Sequence, residues 1–192
     1  TYEETHANIN DSTIKTILDN WYEEILLSYT SYLADDGFCG DRNIYEGEGT
    51  GLGYGKNETY YQVYNRIMTY QPQYSCPQEN DLYTTDSSTK GNKALEYPIG
   101  LITADEIVYA GGVRAKNNTN YYLYTGNWYW AMSPIDFNGL YAYVGDVTSN
   151  GGLNFNSVDG LGGVRPVINL RSDVEIISGD GTIFNPYVIK TN

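Results

Sequence analysis

The stretch of this 192-residue chain nearest to a phosphate-binding loop is Glu46-Gly47-Glu48-Gly49-Thr50-Gly51-Leu52-Gly53-Tyr54-Gly55-Lys56. A phosphate cradle needs backbone amides that converge at a fixed spacing, G-x-G-x-x-G or G-x-x-x-x-G-K-[ST]. Neither register fits: Thr50 stands five positions before Gly55, and Asn57 follows Lys56. Two glutamates inside the run would repel phosphate, so the segment is expected to be a surface loop. His6 sits in a polar arm with no Ser, Cys or Asp at a telling distance, and reads as solvated. Asp35-Asp36, Asp173, Glu175 and Asp180 could offer oxygens to calcium, but none follows an ordered ligand spacing, and Asp180-Gly181 reads as a turn. There is no G-x-S-x-G elbow, no H-E-x-x-H and no Cys/His pair. No carboxylate pair is singled out by its context. The expectation is therefore a chain that is not an enzyme and carries no cofactor and no metal.

Cys39 and Cys76 flank turn-forming and polar residues, in Phe38-Cys39-Gly40-Asp41 and Ser75-Cys76-Pro77. Free cysteine prefers burial in apolar surroundings, so a disulfide is the better reading and two free thiols the alternative. Such a bond places the domain outside a reducing cytosol.

The residues left to carry function are aromatic. The chain holds 21 tyrosines, and many of them lie with Trp, Asn and Gly between Tyr121 and Gly163. Tyr offers a large rigid contact surface at little side-chain entropy, and Asn, Ser and Gly add adaptable hydrogen bonding, the chemistry of binding surfaces. Several exposed aromatics together would form an interaction patch. The net charge of −13 argues against nucleic acid and anionic lipid as partners. Residues 1–50 alone hold eleven acids against Lys15 and Arg42. No apolar run approaches the ~20 residues of a spanning helix.

These residues need elements to position them. Asp11 or Ser12 can cap a helix in which Ile14, Ile17, Leu18, Trp21 and Ile25 recur at helical spacing. Ser28 to Leu33 fits either an extension of that helix or a short strand. Tyr60–Tyr70 has the β-branched and aromatic content of a strand. Leu101 to Gly112 reads as a short helix with Thr103 and Glu106 as a capping box and Gly111-Gly112 as its stop. After Tyr121 the pattern is all-β, with runs at Tyr121–Tyr124, Tyr129–Met132, Tyr141–Val147, Gly152–Val158, Val164–Leu170 and Tyr187–Lys190. Period-two alternation puts Ala142 and Val144 inward and both neighbouring tyrosines outward. Leu153 and Val158 are core candidates. Trp130 is expected to be buried and structural, with Tyr129 exposed. Arg165, one residue before Pro166, also reads as structural, since its five fixed donors suit loop carbonyls or a salt bridge. The fold class is α+β in one domain, with helices and loops of a scaffold over 1–120 and a β core over 121–192.

Three runs, Trp130-Ala131-Met132-Ser133-Pro134, Ala142-Tyr143-Val144 and Gly163-Val164-Arg165-Pro166-Val167-Ile168, follow one another in an order that resembles the C-type-lectin-like fold. That fold is shared by formylglycine-generating-enzyme-like domains and by variable proteins of diversity-generating retroelements. The wider layout is similar to Firmicute cell-surface and pilin-like proteins. There the helix Asn10–Tyr22, Phe38-Cys39-x-Asp41-Arg42, Thr103-Ala104-Asp105-Glu106 and Gly179-Asp180-Gly181-Thr182…Asn185-Pro186-Tyr187 have counterparts. The oxidase chemistry does not carry over, because it relies on a C-terminal cysteine pair and no cysteine follows Cys76. Calcium-dependent sugar binding does not either, since neither Glu-Pro-Asn nor Gln-Pro-Asp occurs. What the retroelement resemblance implies is a diversified ligand-binding face on Asn127, Tyr129, Asp136, Asn138, Tyr141, Tyr143, Asn154, Phe155, Asn156 and Asp159, with a fixed end from Gly163. The expected protein is an extracellular ligand-binding domain, anchored to a cell surface through a segment outside this chain, with a protein or glycan ligand. The competing expectation is a pilin-like assembly subunit whose tyrosines bury against neighbouring copies.

Overall fold

The computed structural model describes residues 7–49 and 58–191; His6 and residues 50–57 of the glycine-rich stretch lie outside them. Ser12 starts helix α1 (Thr13–Ile25), its hydroxyl accepting from the Lys15 amide at 3.1 Å and so satisfying a donor that the first turn leaves unpaired. A 3-10 turn (Leu27–Tyr32) leads into short strands β1 (Leu33–Ala34) and β2 (Phe38–Cys39), then β3 (Ile44–Gly49). Next come β4 (Glu58–Tyr61), α2 (Gln62–Thr69), β5 (Leu82–Tyr83) and α3 (Ala104–Tyr109). The chain closes with β6 (Tyr129–Asn138), β7 (Ala142–Val147), β8 (Leu153–Ser157), β9 (Asn169–Leu170), β10 (Ile176–Ser178) and β11 (Val188–Ile189). The class is α+β, and every strand pair is antiparallel.

One sheet dominates, in the order β3-β4-β6-β7-β8, so it draws two strands from before residue 120 and three from after it. Three two-stranded pieces complete the set, β1 with β9, β2 with β5 and β10 with β11. The turn between β7 and β8 depends on Gly151, at φ +77°, where a Cβ would lie 1.9 Å from the Asn118 carbonyl oxygen. Only glycine admits that approach. On the outer side of β8 the loop 113–115 docks: the Leu153 amide donates to Val113 O and the Ala115 amide to Leu153 O, at 3.1 and 2.9 Å.

Alternate residues of β6 feed two cores. Tyr129, Ala131 and Ile135 join Val63 and Ile67 of α2, Ala104 and Ile107 of α3, and Val147 and Leu153. Trp130 joins Leu18 and Tyr22 of α1 with Leu33, Ile99 and Leu101, and Met132 and Val144 pack against that cluster. Covering both faces corrects the expectation for Tyr129, which is buried at 3% exposure beside Trp130 at 4%.

Other expectations change for equally physical reasons. In α1 the core-facing line is Ile14, Leu18 and Tyr22, while Ile17, Trp21 and Ile25 stay exposed. Tyr22 takes the inner position because it stacks on Tyr97, with centroids 4.7 Å apart, and its hydroxyl meets Thr30 Oγ1 at 3.1 Å. The Ser28–Leu33 stretch is mostly 3-10 turn, with a strand beginning at Leu33. Tyr60–Tyr70 is not one strand: β4 ends at Tyr61, and α2 follows, burying Val63 and Ile67 at a spacing of four. The glycine-rich stretch forms strand β3 as far as Gly49. Ala142 and Val158 are exposed, whereas Leu153 is fully buried. Tyr121–Tyr124 is a turn, and of Val164–Leu170 only Asn169–Leu170 is strand.

The Cys39–Cys76 disulfide is formed, closing a separation of 37 residues. In the chain-entropy account a loop of that size contributes about 4 kcal/mol. The double variant Cys39→Ser/Cys76→Ser is therefore expected to unfold at clearly lower denaturant, with a steeper slope because the unbridged unfolded chain is more expanded. An unmoved midpoint would show that hydrogen bonds and packing alone hold residues 72–76.

Candidate functional site

The residues of the expected face do not share one surface. Asn127 lies exposed before β6, while Asn138 ends that ten-residue strand, roughly 30 Å away at strand rise. Asn138 organises the β6–β7 tip: its Oδ1 accepts from the Leu140 and Tyr141 amides at 3.0 and 2.9 Å, and its Nδ2 donates to Tyr143 Oη at 3.3 Å. Tyr141 is 48% exposed at that tip, and Asp159 is exposed nearby, the Val158 amide donating to Ala142 O. Tyr143 and Phe155 are half-buried on the side of α2 and α3, in edge contact at 6.4 Å. Asn154 and Asn156 alternate to the other side, paired in register with Asp146 and Val144. Tyr129 and Asp136 are buried, and neither presents a side chain to a ligand.

Among the described residues, two carboxylates are buried in this sheet. Asp146 is fully enclosed, and burial pushes its pKa up while hydrogen bonds from Asn156 and Trp128 pull the other way. The Asn156 amide is thus engaged inside the fold. Gly162 lets the Trp128 ring lie against the chain, since a Cβ there would fall 1.9 Å from the ring. Asp136 Oδ1 has no hydrogen-bond partner among the described residues. Burial, with the Glu58 charge adding to it, raises its pKa to about 6.

A different set of aromatics surrounds open space. Tyr74, Tyr109 and Tyr122, with Leu123 and the segment Arg165 to Ile168, line a groove of about 570 Å³. That volume lies within the range of small-ligand and peptide sites. Tyr74 and Tyr109 stack with centroids 3.8 Å apart and planes 6° from parallel. Tyr74 and Tyr122 are each 72% exposed.

Each wall has a mechanical reason. The Thr103 hydroxyl accepts from the Glu106 amide, and Glu106 Oε2 accepts from the Thr103 amide and hydroxyl, both at 2.8 Å. This capping box starts α3, whose last residue is Tyr109. The Tyr109 hydroxyl donates to Pro72 O at 2.8 Å, and the Gln73 amide donates to Asp105 Oδ1 at 3.0 Å. With the Cys76 bond, these contacts fix the segment that carries Tyr74. Asp105 is itself held by Arg66, two N–H groups on two oxygens at 2.8 Å, and Arg66 reaches Asp41 at 2.8 Å. Burial works against the Arg66 charge, but hydrogen bonds and charges from both aspartates outweigh it, and its pKa rises. Arg165 Nη1 donates to Leu123 O at 3.0 Å and to Tyr129 Oη at 3.2 Å, with its guanidinium 5.3 Å from the Tyr129 ring centre.

Arg165 Nε and Nη2 and Glu106 Oε1 make no hydrogen bond among the described residues, so one fixed donor group and one fixed acceptor line the groove. Its lining contains no Ser, Cys, His or Lys. Among the described residues no group of three or more His, Cys, Asp or Glu is placed to hold a metal, and no helix is long and apolar enough to cross a membrane. The arrangement offers aromatic planes, one donor group and one acceptor to a ligand.

Sequence reasoning passed over Tyr74, Tyr109 and Tyr122 as site residues. The available signals were Tyr74 between Pro72 and Cys76 and Tyr109 at the end of a capped helix. Comparison with known proteins finds no matching family model, no matching curated relative and no matching solved structure.

The raised Asp136 pKa has a definite pH consequence. The folded chain holds that proton more tightly than the unfolded chain, so stability grows as pH falls from about 6 towards 4. Above pH 6 the charged form weakens the fold. Asp136→Asn is expected to stabilise the domain at pH 7 by up to about 3 kcal/mol, with the gain largely gone near pH 4. Denaturant melts at both pH values test this; equal destabilisation at both would show that the carboxylate has an unseen partner.

Proposed function

We propose that this is an extracellular, non-catalytic ligand-binding domain of C-type-lectin-like kind, displayed by a cell-surface protein, with a protein or glycan ligand seated in the tyrosine groove. The observation that carries the reading is a groove lined by three tyrosines, two of which, Tyr74 and Tyr109, are held by mutual stacking and by the Tyr109–Pro72 bond. Rigid aromatic planes lose little entropy on binding, and a preorganised wall lowers the ordering cost further. The disulfide supports an oxidising location. The antiparallel sheet flanked by short helices is compatible with a C-type-lectin-like domain.

The diversified face implied by the retroelement resemblance has less support. Tyr129 and Asp136 would have to vary inside the core, and Asn156 is engaged with Asp146. A near-copy of codons 127–163 beside a reverse transcriptase gene, differing mainly at adenines, would restore it.

One observation favours the assembly reading. The β10–β11 hairpin leaves Ile183 85% and Phe184 96% exposed, with Ile176, Ile177 and Tyr187 also open to solvent. Sedimentation velocity over a wide concentration range separates the two readings. The receptor reading expects a monomer throughout, and it expects Tyr122→Ala to leave stability within about 0.5 kcal/mol, as an exposed substitution does. Concentration-dependent growth that Phe184→Ser abolishes would select the assembly subunit instead.

A further inference from the structure

We propose that the groove selects a basic peptide segment, an extended chain presenting a Lys or Arg side chain; this rests on the groove being the ligand site. The groove does not end at Tyr74. Tyr74, Glu106 and Val167 also line an adjoining polar pocket of about 270 Å³, so an extended ligand leaving the groove past Tyr74 would meet that second lining. The charge in that second part is acidic: Asp36, Asp41, Asp105 and Glu106 stand against Arg66 and Lys90. Both cations are already matched, Arg66 by Asp41 and Asp105 and Lys90 by Asp36 at 3.2 Å. The whole chain carries −13, which favours approach of a cation before contact.

The close-range groups demand the same chemistry. The exposed faces of Tyr74 and Tyr122 attract a cation to the electron-rich side of the ring. Glu106 Oε1 is an acceptor without a partner, while Oε2 is fixed by the capping box. Arg165 presents N–H donors that need an acceptor, while its guanidinium lies 5.3 Å from the Tyr129 ring centre. A peptide meets both needs together. A backbone carbonyl accepts from Arg165, and an ammonium or guanidinium crosses the tyrosine faces to Glu106. An acidic side chain in the place of the cation would meet Glu106 and the net negative adjoining pocket, and an all-apolar ligand would leave Glu106 and Arg165 desolvated without partners.

The test uses the intact oxidised domain and blocked pentapeptides with a single central Lys, Arg, Gln or Glu, alongside maltotetraose, followed by amide chemical shifts. The expected result is binding of the Lys and Arg peptides several-fold tighter than Gln, none detectable for Glu, and a loss of affinity as salt rises. Tyr122→Ala should weaken the Lys peptide roughly tenfold, as loss of a central aromatic does. Glu106→Gln keeps the capping box, so the fold survives, and it should erase the preference for Lys over Gln. Equal binding of Lys and Gln peptides, or of maltotetraose instead, at these tyrosines would reject the basic-peptide class and leave the groove as the ligand site. If no probe shifts groove residues, both readings fall. Lys-peptide binding that Tyr74→Ala, Tyr122→Ala and Glu106→Gln leave untouched also rejects both.

Discussion

The geometry of the cleft depends on one partly buried cation. Arg66 leaves α2 and is gripped on one side by Asp105 of α3 and on the other by Asp41, the residue after Gly40 at the end of β2. Three segments far apart in sequence thereby meet at a single planar group. Arg suits this post, because its fork of donors engages two carboxylates in fixed directions where an ammonium would not. Such a triad adds little net stability compared with apolar packing, yet removing one member leaves an uncompensated buried charge at about 3–5 kcal/mol. Its value here is positional. Asp105 carries a second load through the Gln73 amide, so the same carboxylate that fixes the two helices also sets the segment bearing Tyr74.

The second constraint is a sheet covered on both sides. A strand with one wet face divides its residues into inner and outer, and its tyrosines would stay available. Here α2 and α3 cover one face and α1 the other, so Tyr129 and Trp130, neighbours in sequence, both go inward. The tyrosines left for recognition are consequently those on helix ends and turns. Arg165 links the two populations: it sits over buried Tyr129, bonds Leu123 and lines the groove beside exposed Tyr122.

Local chemistry was readable in the sequence and long-range assembly was not. The Thr103–Glu106 box, the Ser12 cap, the strands around Tyr143 and Phe155 and the cysteine pairing each depend on residues whose types announce their role. The helix Gln62–Thr69 was hidden because Tyr, Val and Ile favour strands in isolation, and the burial of Val63 and Ile67 overrides that preference. In α1 the apolar residues outnumber the places on its buried side, so periodicity alone could not choose between Trp21 and Tyr22. The groove was illegible for a different reason. Successive members of the set Tyr74, Tyr109, Tyr122 and Arg165 are 13 to 43 residues apart, and the disulfide, the Arg66 triad, the Tyr109–Pro72 bond and the Arg165–Leu123 bond bring them together.

The strap at residues 113–115 has a meaning beyond local packing. A tyrosine-rich antiparallel sheet with an unguarded last strand is a template on which another chain can polymerise. Strand β8 is such a last strand, and Leu153 has its outward amide and carbonyl already spoken for by Val113 and Ala115, while Arg114 caps the Phe155 ring at 4.9 Å. The neighbour that would otherwise be recruited from solution is supplied from within the same molecule. At Leu153 this margin is thereby closed to strand addition by a second copy.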